Sequence, residues 1–380
     1  MERAIYNRKE QVWRTADKLG NLYQSKEKND RQYQSSQLQY DGKWYYYYDK
    51  EGKLIHKSLT KLHRESNAQK WSLGAWQYAW DAKGMLKAVQ RPDGSVITFK
   101  YDAFGRRISK SYHRREFLYI WDKNVPLHEV QKEELCEDNV ITWIFEGFTP
   151  TAKLINGKAY SIISDHIGTP ILAVDTNGVK VWERELDIYG RVRKEFTSDD
   201  VVNRRSGFMP FLYAGQYYDR ETDLAYNRFR YYSPDTGAYI SQDPIGLVGN
   251  NPTIYGYVFD GNTEVDVLGL NADDIVMRGG TKPLVEGSGV IKVDDKLFGI
   301  SVNVLSGKTK EELSSTIPHN QIATTTRGQI EAVGATIIPD PSKFNPYHAL
   351  INNIKEEDAE KLFSEKEKNP TPKEQRCLKK

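Results

Sequence analysis

The chain has 380 residues, 38% of them hydrophobic, 28% charged and 12% aromatic, and its 54 basic side chains face 52 acidic ones for a formal net charge of +2. That balance offers no global attraction to nucleic acid or to a membrane surface. The length exceeds one ordinary core and favours two or three units. Cys136 and Cys377 form no metal-ligand or redox spacing and read as reduced bystanders made in a cytosol. The N-terminus, MERAIYNRKEQVWRTADKLG, lacks the apolar run of a secretory signal, and no segment approaches the roughly 20 apolar residues of a membrane helix.

From residue 38 to 190 one phrase recurs: QYDGKWYYYYDKEGKLIHK, QYAWDAKGMLKAVQRPDGSVITFKYDAFGRRISK, LYIWDKN and AVDTNGVKVWERELDIYGRVR. Each joins an alternating aromatic-rich strand to an Asp with a Gly two to four residues on, then a second strand. Asp accepts backbone donors in a tight turn and Gly supplies positive φ, so each phrase predicts a β-hairpin. Repetition at roughly 20 residues predicts stacked hairpins that bury one another's faces, with an ordinary antiparallel sandwich as the alternative.

The repeat ends on two related phrases, DPIGL at 243–247 and DVLGL at 266–270. Two carboxylates that share a proton can hydrolyse a peptide bond without a metal, Ser or Cys, one as base and the other as acid. Asp243 and Asp266 are the candidate pair, and the plain alternative is that both cap turns.

The phrases YDAFGRR, DHIGTPILAVD, YAGQYYDRETDLAYNRFRYYSPDTGAYISQDPIGL and NPTIYGY closely resemble the C-terminal core of Rhs (rearrangement hotspot) and tyrosine-aspartate-repeat polymorphic toxins, over about residues 38–270. The resemblance implies a mainly β chain: a β-solenoid shell fragment over 1–190, an associated core over 191–270, and a small α+β toxin domain over 271–380. It further implies self-cleavage between Leu270 and Asn271 by Asp243 and Asp266, with Arg228 and Arg230 as candidates to hold the carboxylates. Val267 stands where the family pattern has Pro, which leaves the scissile loop less fixed. With repeats confined to these residues, a closed shell is not expected. The implied partners are an immunity protein, a secretion apparatus of the type VI kind and a protein or RNA target in the recipient cell. The implied route is synthesis in a bacterial cytoplasm and delivery without a signal peptide.

Residues 271–380 hold 16 Lys and Arg against 16 Asp and Glu, a balance less typical of a nuclease than a basic surface would be. The pattern predicts strands at DIVMRGG, GVIKVDD, LFGISVNV and TIIPDP, and helices at TKEELSSTI, TTRGQIEAVGA and KEEDAEKLFSEK. Three signals bear on chemistry. Arg278 at a strand end, followed by Gly279, offers a guanidinium to a pyrophosphate, or is a strand-end turn. Ser301 and Asn303 share one face of a strand and can hold a nicotinamide or ribose. Gln329 and Glu331 form a Gln-x-Glu pair.

The order Arg278, Ser301, Glu331 resembles that of mono-ADP-ribosyltransferases, which implies NAD as substrate with Glu331 stabilising the oxocarbenium-like state. His319, Asn320, Gln321 and His348 would then line the NAD pocket, whereas as an acid and base pair His319 and His348 would suit a nuclease. NAD hydrolysis and a non-enzymatic repeat protein with an inert tail complete the alternatives. No metal-ligand spacing is present.

Overall fold

The same four-residue turn closes six hairpins between residues 49 and 191. Asp49, Asp81, Asp102, Asp165, Asp175 and Asp187 each use Oδ1 to accept the backbone N–H groups two and four residues on, at 2.8–3.0 Å. The third residue after each Asp is a glycine at φ between 74° and 83°, a conformation that a Cβ disfavours. The repeated Asp-x-x-Gly is therefore the device that reverses the chain.

These turns belong to a computed structural model that describes residues 2–63, 65–201, 207–244, 253–258, 261–262, 264–270, 275–280, 289–304, 313–342, 345–364 and 366–371. It comprises two units, Met1–Leu247 with Asn251–Ala272, and Val248–Asn250 with Asp273–Lys380. No helix among the described residues is long and apolar enough to cross a membrane.

In the first unit sixteen strands, from Gln32–Gln34 to Val192–Thr197, pair in strict sequence order as one antiparallel sheet. The sheet thus runs past residue 190, where the sequence reading ended the shell. One face is aromatic and buried, with Tyr78, Phe99, Phe117, Trp143, Tyr160 and Trp182 in a single cluster with Phe208, Phe211, Tyr226 and Tyr231 of the segment that follows the sheet. The opposite face leaves Ile120, Ile144 and Ile163 exposed. The repeats therefore do not bury one another's faces as expected. A pleated sheet with one apolar face needs a cover, and the later tyrosine-rich segment supplies it.

Cations fasten sheet to cover. Arg107 pairs with Asp219, and Lys110 lies 3.1 Å from Asp219 and 2.9 Å from Glu221. The Arg107 guanidinium sits 5.0 Å and 4.6 Å from the Tyr119 and Tyr226 ring centres. Lys153 donates to the Phe208 carbonyl at 2.6 Å, and burial pushes its ammonium down to about 8.

The second unit is a seven-stranded antiparallel sheet. Its order is Thr336–Pro339, His348–Lys355, Lys296–Asn303, Ile275–Gly279, Gln321–Thr326, Lys366–Lys368, with Ile291–Val293 paired to Lys296–Asn303. Helices α1 (Arg327–Ala332) and α2 (Glu356–Leu362) contribute Ile330 and Ala359 to a core with Val276, Ile300 and Val302. One expectation needs correction, one strand was missed and one expected helix is only partly described. Gln321–Thr326 is a strand and the helix begins only at Arg327, as suits a run of β-branched threonines. HALINNIK at 348–355 is a strand that the sequence reading missed. Of the helix expected at TKEELSSTI, residues up to 312 lie outside the described residues and Leu313–Ser314 are helical.

Candidate active site

The hairpin LAYNRFRYYS builds the site. Strands Leu224–Asn227 and Arg230–Ser233 pair with Asn227 opposite Arg230, leaving Arg228 and Phe229 as a two-residue loop with Arg228 at φ 56°. Successive strand residues face opposite ways, so Arg230 enters the interior. Its Nη2 lies 2.8 Å from Asp243 Oδ2 and 3.1 Å from Asp266 Oδ2. The three side chains are 0–1% exposed. Both carboxylate oxygens touch one nitrogen, so they cannot be further apart than those two distances combined. Arg228 takes no part: it donates to the Phe104 carbonyl at 2.9 Å and to Asn124 Oδ1 at 3.3 Å, against a turn of the large sheet.

The DVLGL phrase wraps this centre. Leu270 N–H donates to Asp266 Oδ1 at 3.0 Å, Arg230 Nε donates to the Gly269 carbonyl, and Phe229 N–H to the Leu268 carbonyl at 3.2 Å. Gly269 has φ 69°, and a Cβ there would lie 2.3 Å from the Asn227 carbonyl oxygen. At the other side Gly215 abuts the Val267 backbone, where a Cβ would come within 2.4 Å of the Val267 oxygen. Close backbone approach thus depends on glycine at both positions. Val267 packs with Ala214 and Leu268, and Leu270 lies against that cluster. Asn271 and the Gly-Leu of the first phrase, residues 246 and 247, lie outside the described residues.

Two residues of the site carried no sequence signal. Tyr239 donates its hydroxyl to Asp266 Oδ2 at 2.7 Å, and the Asn227 amide donates to both the Tyr239 oxygen and the Asp266 carbonyl at 2.6 Å. Burial, and then the adjacent Asp266 carboxylate, push the Tyr239 phenol well up. Tyr239 is one of 24 tyrosines, and nothing in its immediate sequence distinguishes it.

In the second unit Ser301 Oγ and His348 Nε2 lie 2.7 Å apart, and His348 Nδ1 is 2.9 Å from the Asp340 carbonyl oxygen and 3.1 Å from Asp340 Oδ2. Asn303 faces the same way, its amide donating to Leu313 O at 2.7 Å and Thr316 Oγ1 at 2.8 Å, while Asn345 Nδ2 donates to Asn303 Oδ1 at 2.8 Å. Asn303 is paired with Met277, so strand alternation turns the next residue, Arg278, to the other face. Burial lowers the half-buried Arg278 guanidinium. Gly279 admits Ile317 and His319, whose atoms lie 2.4 Å and 2.7 Å from where a Cβ would stand. His319, Asn320 and Gln321 are exposed. Gln329 accepts from Thr325 Oγ1 at 2.8 Å, and Glu331 is on α1, its side chain outside the description. Asp340 is a partner that the sequence reading missed.

An Asp-turn sheet closed by a tyrosine-rich segment, with one arginine buried between two aspartates, defines the first unit as a tyrosine-aspartate-repeat shell with a carboxylate centre. The family described as Teneurin YD-shell matches residues 5–262, and the chain belongs to it. It is similar to the "Probable deoxyribonuclease RhsB" of Dickeya dadantii (strain 3937), 30% identical over 249 residues that cover 63% of this chain and 16% of RhsB. It is also similar to "Toxin protein Tse5" of Pseudomonas aeruginosa, 40% identical over 223 residues covering 49% of this chain and 16% of Tse5. The "Double-stranded DNA deaminase toxin A" of Burkholderia cenocepacia is 30% identical over 227 residues, 51% of this chain and 15% of that toxin. The chain therefore spans under a fifth of the length of each of these relatives.

Proposed function

We propose that this chain carries the shell and core of an Rhs-type toxin, that it cuts itself between Leu270 and Asn271, and that the released segment is the toxic part. The supporting observation is the buried Arg230–Asp243–Asp266 centre, with Asp266 bonded to the N–H of Leu270. Close carboxylates cannot both stay ionised, so one holds a proton while the arginine stabilises the other as an anion. The ionised carboxylate takes a proton from water, whose oxygen attacks the Leu270 carbonyl carbon. The protonated one gives its proton to the Asn271 nitrogen as the C–N bond breaks. Purified chain should run as two pieces on a denaturing gel, and Asp243→Asn or Asp266→Asn should leave one band. A wild-type chain that stays whole contradicts the reading.

For the released segment the reading is ADP-ribosyl transfer from NAD, with Arg278 on the phosphates, Ser301 in the pocket and Glu331 at the ribose. Its support is adjacency: the strands bearing Arg278 and Ser301 pair directly, and the strand leading into α1 pairs with the first of them. The opposed faces of Arg278 and Ser301 weigh against it. The Ser301–His348–Asp340 chain favours a rival, a nuclease with His348 as general base. The relatives named for DNA chemistry lend that rival only general support, because differently named activities accompany similar shells. Incubating the protein with labelled NAD and a bacterial lysate separates the outcomes. Label transfer lost in Arg278→Ala and Glu331→Ala supports the first, NAD loss without label indicates hydrolysis, and intact NAD with degraded nucleic acid selects the rival. An immunity protein and a delivery apparatus of the type VI kind belong to the same proposal.

A further inference from the structure

We propose that the donor chain Asn227–Tyr239 fixes the roles of the two aspartates, holding Asp266 as the ionised base and leaving the proton on Asp243. The inference rests on the self-cleavage reading and extends it to a positioning residue.

The orientation of the donors carries the argument. Asn227 Nδ2 can only donate, and it reaches the Tyr239 oxygen at 2.6 Å. With its oxygen engaged as an acceptor, the phenol turns its own hydrogen onward, and the group in reach is Asp266 Oδ2 at 2.7 Å. The same oxygen faces Arg230 Nη2 at 3.1 Å, and the other oxygen accepts the Leu270 N–H at 3.0 Å. The arginine and the amide cannot accept a hydrogen bond, so a protonated Asp266 would forfeit a contact on whichever oxygen carried the proton. Donors to a carboxylate favour its charged form. Among the described residues, Asp243 meets Asp266 through the shared arginine, and the Tyr257 ring lies 6.1 Å from that of Tyr239. The Arg230 guanidinium also lies over the Tyr239 ring, 3.6 Å from its centre, so the ring is held in place apart from its hydroxyl.

In the resulting step Asp266 accepts the proton of the attacking water while the new C–O bond forms at Leu270. Asp243 releases its proton to the departing Asn271 nitrogen. The pair ends with the proton on the other aspartate and no net change in charge.

The test follows self-cleavage of pulse-labelled full-length chain from cell-free translation, shifted to buffers across the acidic to neutral range. Activity needs Asp266 ionised, so it falls as pH drops through the Asp266 pKa. Tyr239→Phe removes one donor and should move that acidic limb upward by about one pH unit, with the plateau rate reduced less than about tenfold. A limb that stays put in a Tyr239→Phe chain that still cuts overturns the role of Tyr239 while leaving self-cleavage standing. A second measurement needs no tyrosine variant. Carboxyl-carbon NMR on aspartate-labelled chain should show Asp266, in Asp243→Asn, titrating lower than Asp243, in Asp266→Asn, because only Asp266 has the added donors Tyr239 and Leu270 N–H. The reverse order overturns the assignment. Wild type that never cuts instead defeats the underlying self-cleavage reading.

Discussion

The aspartate centre of the first unit and the Ser301–His348–Asp340 chain of the second are built from comparable hydrogen bonds in opposite surroundings. Asp243, Asp266 and Arg230 are sealed from water, whereas the Asp340 side chain is 61% exposed and Ser301 lies open. Where water is excluded, charges interact strongly and no solvent replaces a lost partner. At the open cluster, solvent screens and substitutes. The first arrangement therefore depends on the fold to hold its charges together, whereas the second stands open to solvent.

Substitutions should expose that difference. The largest effect is expected from Arg230→Met, which leaves two buried carboxylates without their cation. It should cost about 3–5 kcal/mol in urea unfolding and abolish cleavage. Gly269→Ala comes next: its Cβ would strike the Asn227 carbonyl at a left-handed φ. It should cost about 2–3 kcal/mol and slow cutting.

Lys153 gives a pH-dependent test of the sealed interior. Its folded pKa is lowered to about 8, so above that value the unfolded chain, at the ordinary lysine pKa, holds more protons. This group's contribution to stability is therefore flat below about pH 8 and rises above it, by at most about 1.4 kcal/mol per pH unit, until the ordinary lysine value is reached. Unfolding midpoints measured across that window should climb in wild type relative to Lys153→Met. A smaller loss, about 1 kcal/mol, is expected for Asp175→Ala, which removes one turn's two hydrogen bonds from a partly exposed hairpin. Least of all, Ser301→Ala should shift stability by under about 0.5 kcal/mol while abolishing the activity of the released segment. A large loss of stability there would erase the contrast between the two clusters.

The turns were legible because Asp-x-x-Gly is a local code: side chain and backbone meet within five residues. Asp243 and Asp266 were legible as a repeated phrase, and Arg228 and Arg230 were both named as candidates to hold them, but the sequence did not tell which arginine joins the pair. Arg228 and Arg230 look alike in sequence, and only the strand alternation after the Asn227 corner sends one to the shell turn and the other inward. The Arg107–Asp219 ion pair links positions 112 residues apart, a distance no local pattern reports. In the second unit HALINNIK escaped because its alternation is interrupted by Asn352 and Asn353, the latter at φ 63°. Thr325 and Thr326 were absorbed into the helix that follows them, although β-branched residues favour a strand.

The central claim is that the buried aspartate pair cuts its own chain after Leu270. Intact-mass measurement on freshly purified, denatured protein tests it most directly. The account predicts two species, one ending at Leu270 and one beginning at Asn271, and a single species when Asp266 is changed to Asn. A wild-type protein that persists as one 43.8 kDa chain would contradict it.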